Sequence, residues 1–307
     1  MNNKYYDIVL LTQKDYVNPS HIDSYIKNIL IEDELLTSAL EHKGFKVTRT
    51  YWDNDSFDWT KTRFALFRAT WDYFHRFAEF QLWLKKRAQQ IEFINPYSVI
   101  QWNMNKKYLS TLLQRGVNIP PTLFLEQGVH TSLNNLLKQT GWSKAILKPA
   151  IGGGARHTYL FNEQNVGNYE DTFQRLISTE SMLVQEFQEN IKSKGEVSFM
   201  VFGGQYSHAV LKKAKAGDFR IQDDFGGTLH SYIASREEKL FVEHAIAQCD
   251  QSPIYARVDV MWDNHNELCL SELEMIEPEL WFRKNEYAAQ AMADAVSDYC
   301  MGKVALI

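Results

Sequence analysis

The sequence predicts a mixed α/β (α+β) protein in which a small parallel sheet comes first and antiparallel hairpins follow. Three observations lead there. Short apolar runs alternate with amphipathic segments over residues 5–95; KAILKPAIGGGARHTYLF (144–161) reads as strand, glycine loop, strand; and YARVDVMWDNHNELCLSELEMIEP (255–278) reads as two strands about a turn.

Tyr5 to Leu11 is a short apolar run, and IEDELLTSALEHKG (31–44) carries leucines and alanine at helical spacing, closed by Gly44. Phe45 to Trp52 and Phe64 to Arg68 read as strands. RFAEFQLWLKKRAQQ (76–90) is an amphipathic helix with Phe77, Phe80, Trp83 and Leu84 as its buried stripe, and Phe93 to Asn95 starts another strand before Pro96. Such alternation predicts parallel strands covered by helices, with ligands beyond the carboxyl ends of the strands. FALFRATWDY puts Arg68, Thr70, Trp71, Asp72 and Tyr73 at such an end. There they either hold the polar end of a substrate or serve packing, with Arg68 paired to Asp72 and Trp71 filling an interface.

WNMNKKYLSTLLQRG (102–116) reads as a helix capped by Asn103, with Leu109, Leu112 and Leu113 on one face and Gly116 ending it. A lysine at its start reaches either a phosphate or solvent. Lys148 ends an apolar run, where an ammonium group is costly unless it meets an anion. Gly152, Gly153 and Gly154 free the backbone to curl its NH groups around phosphate oxygens. The loop is not a Walker motif, since no GK[ST] follows, and it lacks dinucleotide spacing. Arg156 and His157 suit phosphate or water equally. MLVQEF (182–187) is a short buried strand, and GEVSFMVFGGQYSHAVLKKA (195–214) gives two strands about Gly203 and Gly204. KAGDFRIQDDFGG (215–227) sets Arg220 between glycines, where a guanidinium can hold a carboxylate or acyl phosphate with two parallel bonds. Asp218, Asp223 and Asp224 read as turn formers. REEKLFVEHAIAQC (236–249) is an amphipathic helix; 279–300 reads as largely helical packing, with Arg283 either in a structural ion pair or against substrate.

In the hairpin at 255–278, residues two apart share a face, so Arg257, Asp259 and Met261 point one way, as do Glu272 and Glu274 on the return strand. If those faces coincide, three carboxylates converge. They repel unless a cation sits among them, and an all-oxygen set beside an arginine suits magnesium bearing a polyphosphate. The alternative is an acidic, solvated hairpin; the apolar neighbours Val258, Val260, Leu270 and Leu273 speak against it.

The 307 residues allow two or three domains, and 45% hydrophobic with 23% charged residues is a globular composition. A net charge of -5 without a long basic run argues against a nucleic-acid surface. Three cysteines (Cys249, Cys269, Cys300) fit neither a disulfide framework nor a four-ligand zinc site. The start, MNNKYYDIVLL, is too short an apolar run for a signal peptide or membrane span, so cytoplasmic residence is the default expectation.

Arg-x-Asp on one strand, then Glu-x-Glu and a proline after the second, resembles the ATP-grasp superfamily, which includes D-alanine:D-alanine ligase and bacterial glutathione synthetase. Glu274 stands where those enzymes usually have asparagine. RATWDY resembles the glutathione-synthetase-like subgroup that contains the D-cycloserine-forming ligase, with Ala69 where serine is usual. The resemblance implies an N-terminal parallel-sheet domain (1–100), a small subdomain with the glycine loop (101–185) and a C-terminal subdomain with the metal site (186–307), the last two sandwiching ATP. It selects Lys106, in a Trp-Asn-x-x-Lys pattern, and Lys148 for the nucleotide phosphates, under a closing loop of Gly152, Gly153 and Gly154, and leaves Lys107 solvated. It implies an exposed strand edge at Gln185, Glu186 and Phe187 for the adenine, Glu196 for the ribose and Met261 beside the nucleotide. Asp259, Glu272 and Glu274 would hold two magnesium ions, with manganese as a substitute. Arg220, Arg257 and Lys212 would neutralise the reacting phosphate, and Arg68, Thr70, Trp71, Asp72 and Tyr73 would meet the substrate. The implied activity is ATP-dependent carboxylate ligation through an acyl phosphate, captured by an amine or similar nucleophile, with intramolecular cyclisation as one variant and a homo-oligomer as a common form. An ATP-binding regulatory module and a simple phosphotransferase stay open beside it.

Overall fold

The computed structural model describes residues 5–215 and 226–304. Its first sheet has four parallel strands in the order β2-β1-β3-β4: β1 (Tyr6–Thr12), β2 (Val47–Tyr51), β3 (Thr62–Phe67) and β4 (Glu92–Ile94). The apolar run of β1 is buried on both sides. Ile8 and Leu10 face one core with Leu36 and Leu40 of α1 (Ser24–His42), while Val9 and Leu11 face another with Phe80, Trp83 and Leu84 of α2 (Phe77–Arg87). Helix α1 starts seven residues before the leucine pattern because Asp23 caps it, accepting from the Ile26 amide at 2.8 Å.

The segment after Pro96 departs from the expected single helix. It forms α3 (Tyr97–Asn103), a turn, and α4 (Tyr108–Gln114). Asn103 is not a cap: its amide donates to the Leu273 carbonyl at 2.7 Å and its oxygen accepts from the Met275 amide at 2.8 Å. Leu109 and Leu112 are buried, but Leu113 is half exposed on the opposite side.

A second, antiparallel sheet, in the order β5-β8-β6-β7, is built from β5 (Thr122–Leu125), β6 (Lys144–Pro149), β7 (Tyr159–Asn162) and β8 (Met182–Glu186), backed by α5 (Leu133–Thr140) and α6 (Glu170–Ile177). After the short α7 (Ile191–Lys194) comes a five-stranded sheet, β11-β10-β9-β12-β13. Its strands are β9 (Glu196–Phe202), β10 (Gln205–Lys213), β11 (Thr228–Tyr232), β12 (Tyr255–Trp262) and β13 (Leu268–Glu274), with α8 (Arg236–Ala247) on one face. The final helix, α9 (Ala288–Val304), begins only at Ala288, later than the sequence pattern suggests, and packs with α1 and Met200, Phe202 and Tyr255 in one core. Packing therefore crosses the boundary expected at residue 100.

β13 is an edge strand, and the first half of the chain covers it. Besides Asn103, Asn95 donates to the carbonyls of Tyr255 and Met275 at 2.8 Å, and the Tyr108 hydroxyl accepts from the Leu273 amide at 2.9 Å. Side chains, with the Asn118 carbonyl accepting from the Leu270 amide at 2.8 Å, satisfy the edge, which fixes the face that β13 turns to the cleft. No helix among the described residues is long and apolar enough to cross a membrane.

Candidate active site

A cleft of about 590 Å³ lies where the three sheets meet. Its floor is the β12–β13 hairpin. The antiparallel register sets Arg257 opposite Glu274 and Asp259 opposite Glu272, and a bulge after Asp259 keeps these side chains on the cleft face. The coincidence of faces expected from the sequence is met, and Met261 lines the same cleft.

The carboxylates are nevertheless turned onto cations rather than onto one another. Among the described residues no three acidic, histidine or cysteine side chains gather closely enough to share an ion, which corrects the expectation of a converged trio. Asp259 is 2% exposed; Arg257 pairs with it at 2.9 Å, Lys212 at 3.4 Å, and Ser198 donates to it. Burial works to raise its carboxyl, but Arg257 and Lys212 overcome that and hold it down at about 2. Glu272 pairs with Lys106 at 2.9 Å, and Glu274 with Arg257. Burial, joined by the repulsion of Glu272 and Asp259, pushes the Glu274 carboxyl up to about 7 against the pull of Arg257. Trp281, absent from the sequence-based candidates, lies under both cations: its ring is 5.3 Å from the Arg257 guanidinium and 6.0 Å from the Lys212 ammonium.

One wall is the strand–loop–strand at 144–161. Lys148 at the end of β6 points into the cleft, makes no ion pair among the described residues, and is lowered by burial. The Lys106 ammonium bonds to the Gly152 carbonyl as well as to Glu272, tying the loop to the floor. Gly154 has φ +56°, and a Cβ on Gly153 would stand 2.9 Å from the Phe74 ring, so the loop passes beneath a side chain of the first domain. Arg156 is committed elsewhere: it pairs with Glu180 and donates to the Ile151 carbonyl at 3.1 Å, bracing the loop. Lys107 is 61% exposed and paired with Glu126.

Gln185, Glu186 and Phe187 line the far end of the cleft with Gln188 and Ile191. They are not on an exposed strand edge, as expected; β8 lies between β5 and β6, with Gln185 and Phe187 buried and Gln185 bonded to Thr122 at 2.9 Å. Glu196 lines the cleft but is already held, by Lys212 at 2.6 Å and by the Ser271 hydroxyl at 2.6 Å, and burial raises its carboxyl.

The 68–73 segment splits. Trp71 and Asp72 line the cleft; Tyr73 lines a small pocket next to it with Lys106, Glu272 and Glu277. Arg68 and Thr70 are buried away from both cavities. Arg68 does not pair with Asp72 but with Asp33, at 3.3 Å, and stacks 5.1 Å from the Phe282 ring. Asp72 accepts from the Trp52 indole at 2.9 Å and pairs with Arg76 at 3.4 Å. Arg283 joins Glu32 and Glu279, a structural ion pair. Arg220 lies outside the described residues, as do Asp218, Asp223 and Asp224. Sequence reasoning missed Ser198, Ser271, Phe74 and Glu277 as well as Trp281; the only trace of Glu277 was an acid beside Pro278, just past the strand.

The donor set fits a divalent cation at the floor. Glu272 Oε2 and Glu274 Oε2 make no hydrogen bond among the described residues, and acids outnumber bases along the cleft. Asp72, Glu186, Glu196, Asp259, Glu272, Glu274, Glu277 and Glu279 face Lys106, Lys148, Arg156, Lys212 and Arg257. Such an excess of buried carboxylate is relieved by oxygen-preferring metal ions.

The model of the RimK-like ATP-grasp domain matches residues 105–278, and that of the D-cycloserine synthetase DcsG N-terminal domain matches residues 8–95. The cycloserine biosynthesis protein DcsG of Streptomyces lavendulae is 23% identical over 281 residues, 86% of this chain and 92% of that protein. Tetrahydromethanopterin:alpha-L-glutamate ligase of Methanosarcina acetivorans is 26% identical over 54% of this chain and 53% of its own length. Among solved structures, D-cycloserine synthetase DcsG superposes with a TM-score of 0.84 at 21% identity, covering 95% of this chain and 99% of that one. D-alanine–D-alanine ligase from Bacillus anthracis superposes at 0.65 and 14% identity, covering 96% and 97%.

Proposed function

This chain belongs to the RimK-like ATP-grasp family, and from that membership and the cleft geometry we propose that it is an ADP-forming, ATP-dependent carboxylate ligase. The observation that carries the reading is the β12–β13 register. It sets Arg257, Asp259, Glu272 and Glu274 on one floor, within reach of Lys106 and beside Lys148 and a glycine loop. A triphosphate needs such an arrangement of fixed cations and a ready cation site, because transfer of its terminal phosphoryl group demands charge neutralisation and alignment more than acid–base chemistry.

The nucleotide base would enter between Gln185–Gln188 and Met261, with its phosphates under Gly152, Gly153 and Gly154. Lys106 and Lys148 would bind the phosphates. Glu272 and Glu274, each with one oxygen left over, would hold magnesium, which when bound neutralises phosphate charge, while Asp259, spent on Arg257, Lys212 and Ser198, would keep the two cations in place. In the first step the oxygen of a substrate carboxylate attacks the terminal phosphorus and ADP leaves, giving an acyl phosphate. In the second, an amine or similar nucleophile attacks the acyl carbon, phosphate leaves, and the nucleophile gives up a proton. Arg257, held between Asp259 and Glu274 on the Trp281 ring, would stay in place as charge shifts, so little reorganisation is needed. Lys212 would do the same from Glu196. The names of the relatives, which include a cycloserine biosynthesis protein and a glutamate ligase, support an amino-acid-like substrate.

The test is a screen for ADP and phosphate release with magnesium ATP and candidate acids, alone and in pairs, followed by mass spectrometry of the product. Release of ADP together with an amide or ring product is expected. AMP release would overturn the acyl-phosphate route, and a phosphorylated acid as end product would make the protein a phosphotransferase.

A further inference from the structure

The cleft's deep carboxylates differ in one respect. Glu196, Asp259, Glu272, Glu274 and Glu279 each have a cation within 4 Å, respectively Lys212, Arg257, Lys106, Arg257 and Arg283. Glu277 forms no ion pair among the described residues, although it faces both the main cleft and the small pocket beneath it. The Tyr73 side chain lines that small pocket with it. Burial, then the nearby Glu274, pushes the Glu277 carboxyl well above the usual range against the weaker pull of Lys106, which is paired to Glu272.

The wall beside Glu277 is aromatic. The Trp71 indole donates its NH to the Glu277 carbonyl at 2.9 Å, so it has no donor left for an anion. Its ring is gripped by Tyr16, edge-on with centroids 6.0 Å apart, and by Tyr25 at 5.9 Å. A fixed ring with its NH spent offers only π density, which attracts cations and does nothing for carboxylates.

We propose that Glu277, beside the Trp71 ring, docks the ammonium group of the substrate, so that this cleft selects an amino acid over the plain acid of the same shape. The proposal rests on the ligase reading and names its substrate class. Glu277 supplies the charge, Trp71 the apolar wall, and the excess of acids along the cleft turns away a second carboxylate at that end.

The experiment is calorimetric titration of the full chain, loaded with magnesium and a non-hydrolysable ATP analogue. The titrants are D- and L-alanine and D- and L-serine, against propanoate and 3-hydroxypropanoate. At least one amino acid should bind at least about tenfold tighter than its deaminated counterpart. Glu277→Gln should remove that preference while keeping the affinity for the ATP analogue, which also reports that the variant is folded. Equal binding of alanine and propanoate together with equal binding of serine and 3-hydroxypropanoate in the wild type overturns the proposal without recourse to any variant. So does failure of every amino acid to bind, or an undiminished preference in Glu277→Gln. Running the same acids with ATP separates the two readings. Amino-acid binding without ADP formation would defeat ligation and leave the ammonium site, whereas ADP formation driven equally by the deaminated acids would defeat the site and leave ligation.

Discussion

The two walls of the cleft are built on different rules. On the hairpin floor every acid is matched by a base on its own strand, a neighbouring strand or a loop: Arg257 with Asp259 and Glu274, Lys106 with Glu272, Lys212 with Glu196. On the N-terminal side the polar groups of Trp71 and Asp72 are spent within the protein, and Glu277 is left unmatched. The floor resembles a prepaid electrostatic frame that changes little when charge moves, while the opposite wall gains its missing partner only from a ligand. Chemistry should therefore fail when the floor is altered, and selectivity or closure should fail when the wall is.

The largest effect is expected on the floor. Glu272→Gln keeps the size of the side chain and its bond to Lys106 but removes the charge that both Lys106 and the proposed magnesium meet. Turnover with saturating ATP should fall by about a thousandfold, equivalent to ~4 kcal/mol of lost transition-state stabilisation. Circular dichroism should stay that of the wild type. Wild-type ADP formation in this variant would remove Glu272 from the metal site and dissolve the contrast between floor and wall.

A smaller effect is expected where the wall touches the glycine loop. Phe74 lies over Gly153 so closely that a Cβ there would meet its ring at 2.9 Å. Phe74→Ala should loosen the loop and raise KM for ATP by about tenfold with a smaller change in kcat, since the cations of the floor are untouched. Gly153→Ala should be impaired in the wild-type background and partly rescued by Phe74→Ala, because the collision is between those two groups. Additive losses in the double variant would mean that the ring and the loop act separately.

What could be read in advance follows the same division. Strand periodicity has a fixed period of two, so Arg257, Asp259, Glu272 and Glu274 were assigned to one face from spacing alone, and the register bears that out. Where those side chains would turn was not legible, because Lys106 and Lys212 reach them from distant segments. The wall depends on contacts that no local pattern encodes. Arg68 meets Asp33 rather than its neighbour Asp72. Asn103 has the chemistry of a helix cap, yet spends both polar atoms on Leu273 of β13 and on Met275 just past it, 170 and 172 residues away. MLVQEF read correctly as a buried strand, but the exposed edge that the family resemblance implied at Gln185 to Phe187 is absent, because β5 and β6 pair with β8 from both sides.

The last expected effect is on stability rather than turnover, a pH dependence within the floor itself. Asp259 and Glu274 share Arg257, yet burial and the neighbouring acids raise Glu274 from 4.5 to about 7, while Arg257 and Lys212 outweigh burial and lower Asp259 from 3.8 to about 2. A carboxyl raised on folding keeps its proton longer in the native state, so between pH 4.5 and 7 the native protein binds more protons than the unfolded chain and loses stability as pH rises. A lowered one does the reverse: Asp259 contributes stability above pH 3.8 that is lost as pH falls towards 2. Without nucleotide or metal, the unfolding free energy from urea titrations should fall by about 2 kcal/mol between pH 5 and 7.5, below the full shift because the Glu274 side chain keeps 28% of its surface exposed. Glu274→Gln should make that decline shallower, leaving the part due to Glu277, Glu279 and Glu196, whose carboxyls burial also raises, and should leave the acid limb below pH 4 in place; Asp259→Asn should weaken the acid limb alone. If Glu274→Gln declines as steeply as the wild type, the proton between the two strands is held by another group, and the unequal sharing of Arg257 is not what sets the balance of the floor.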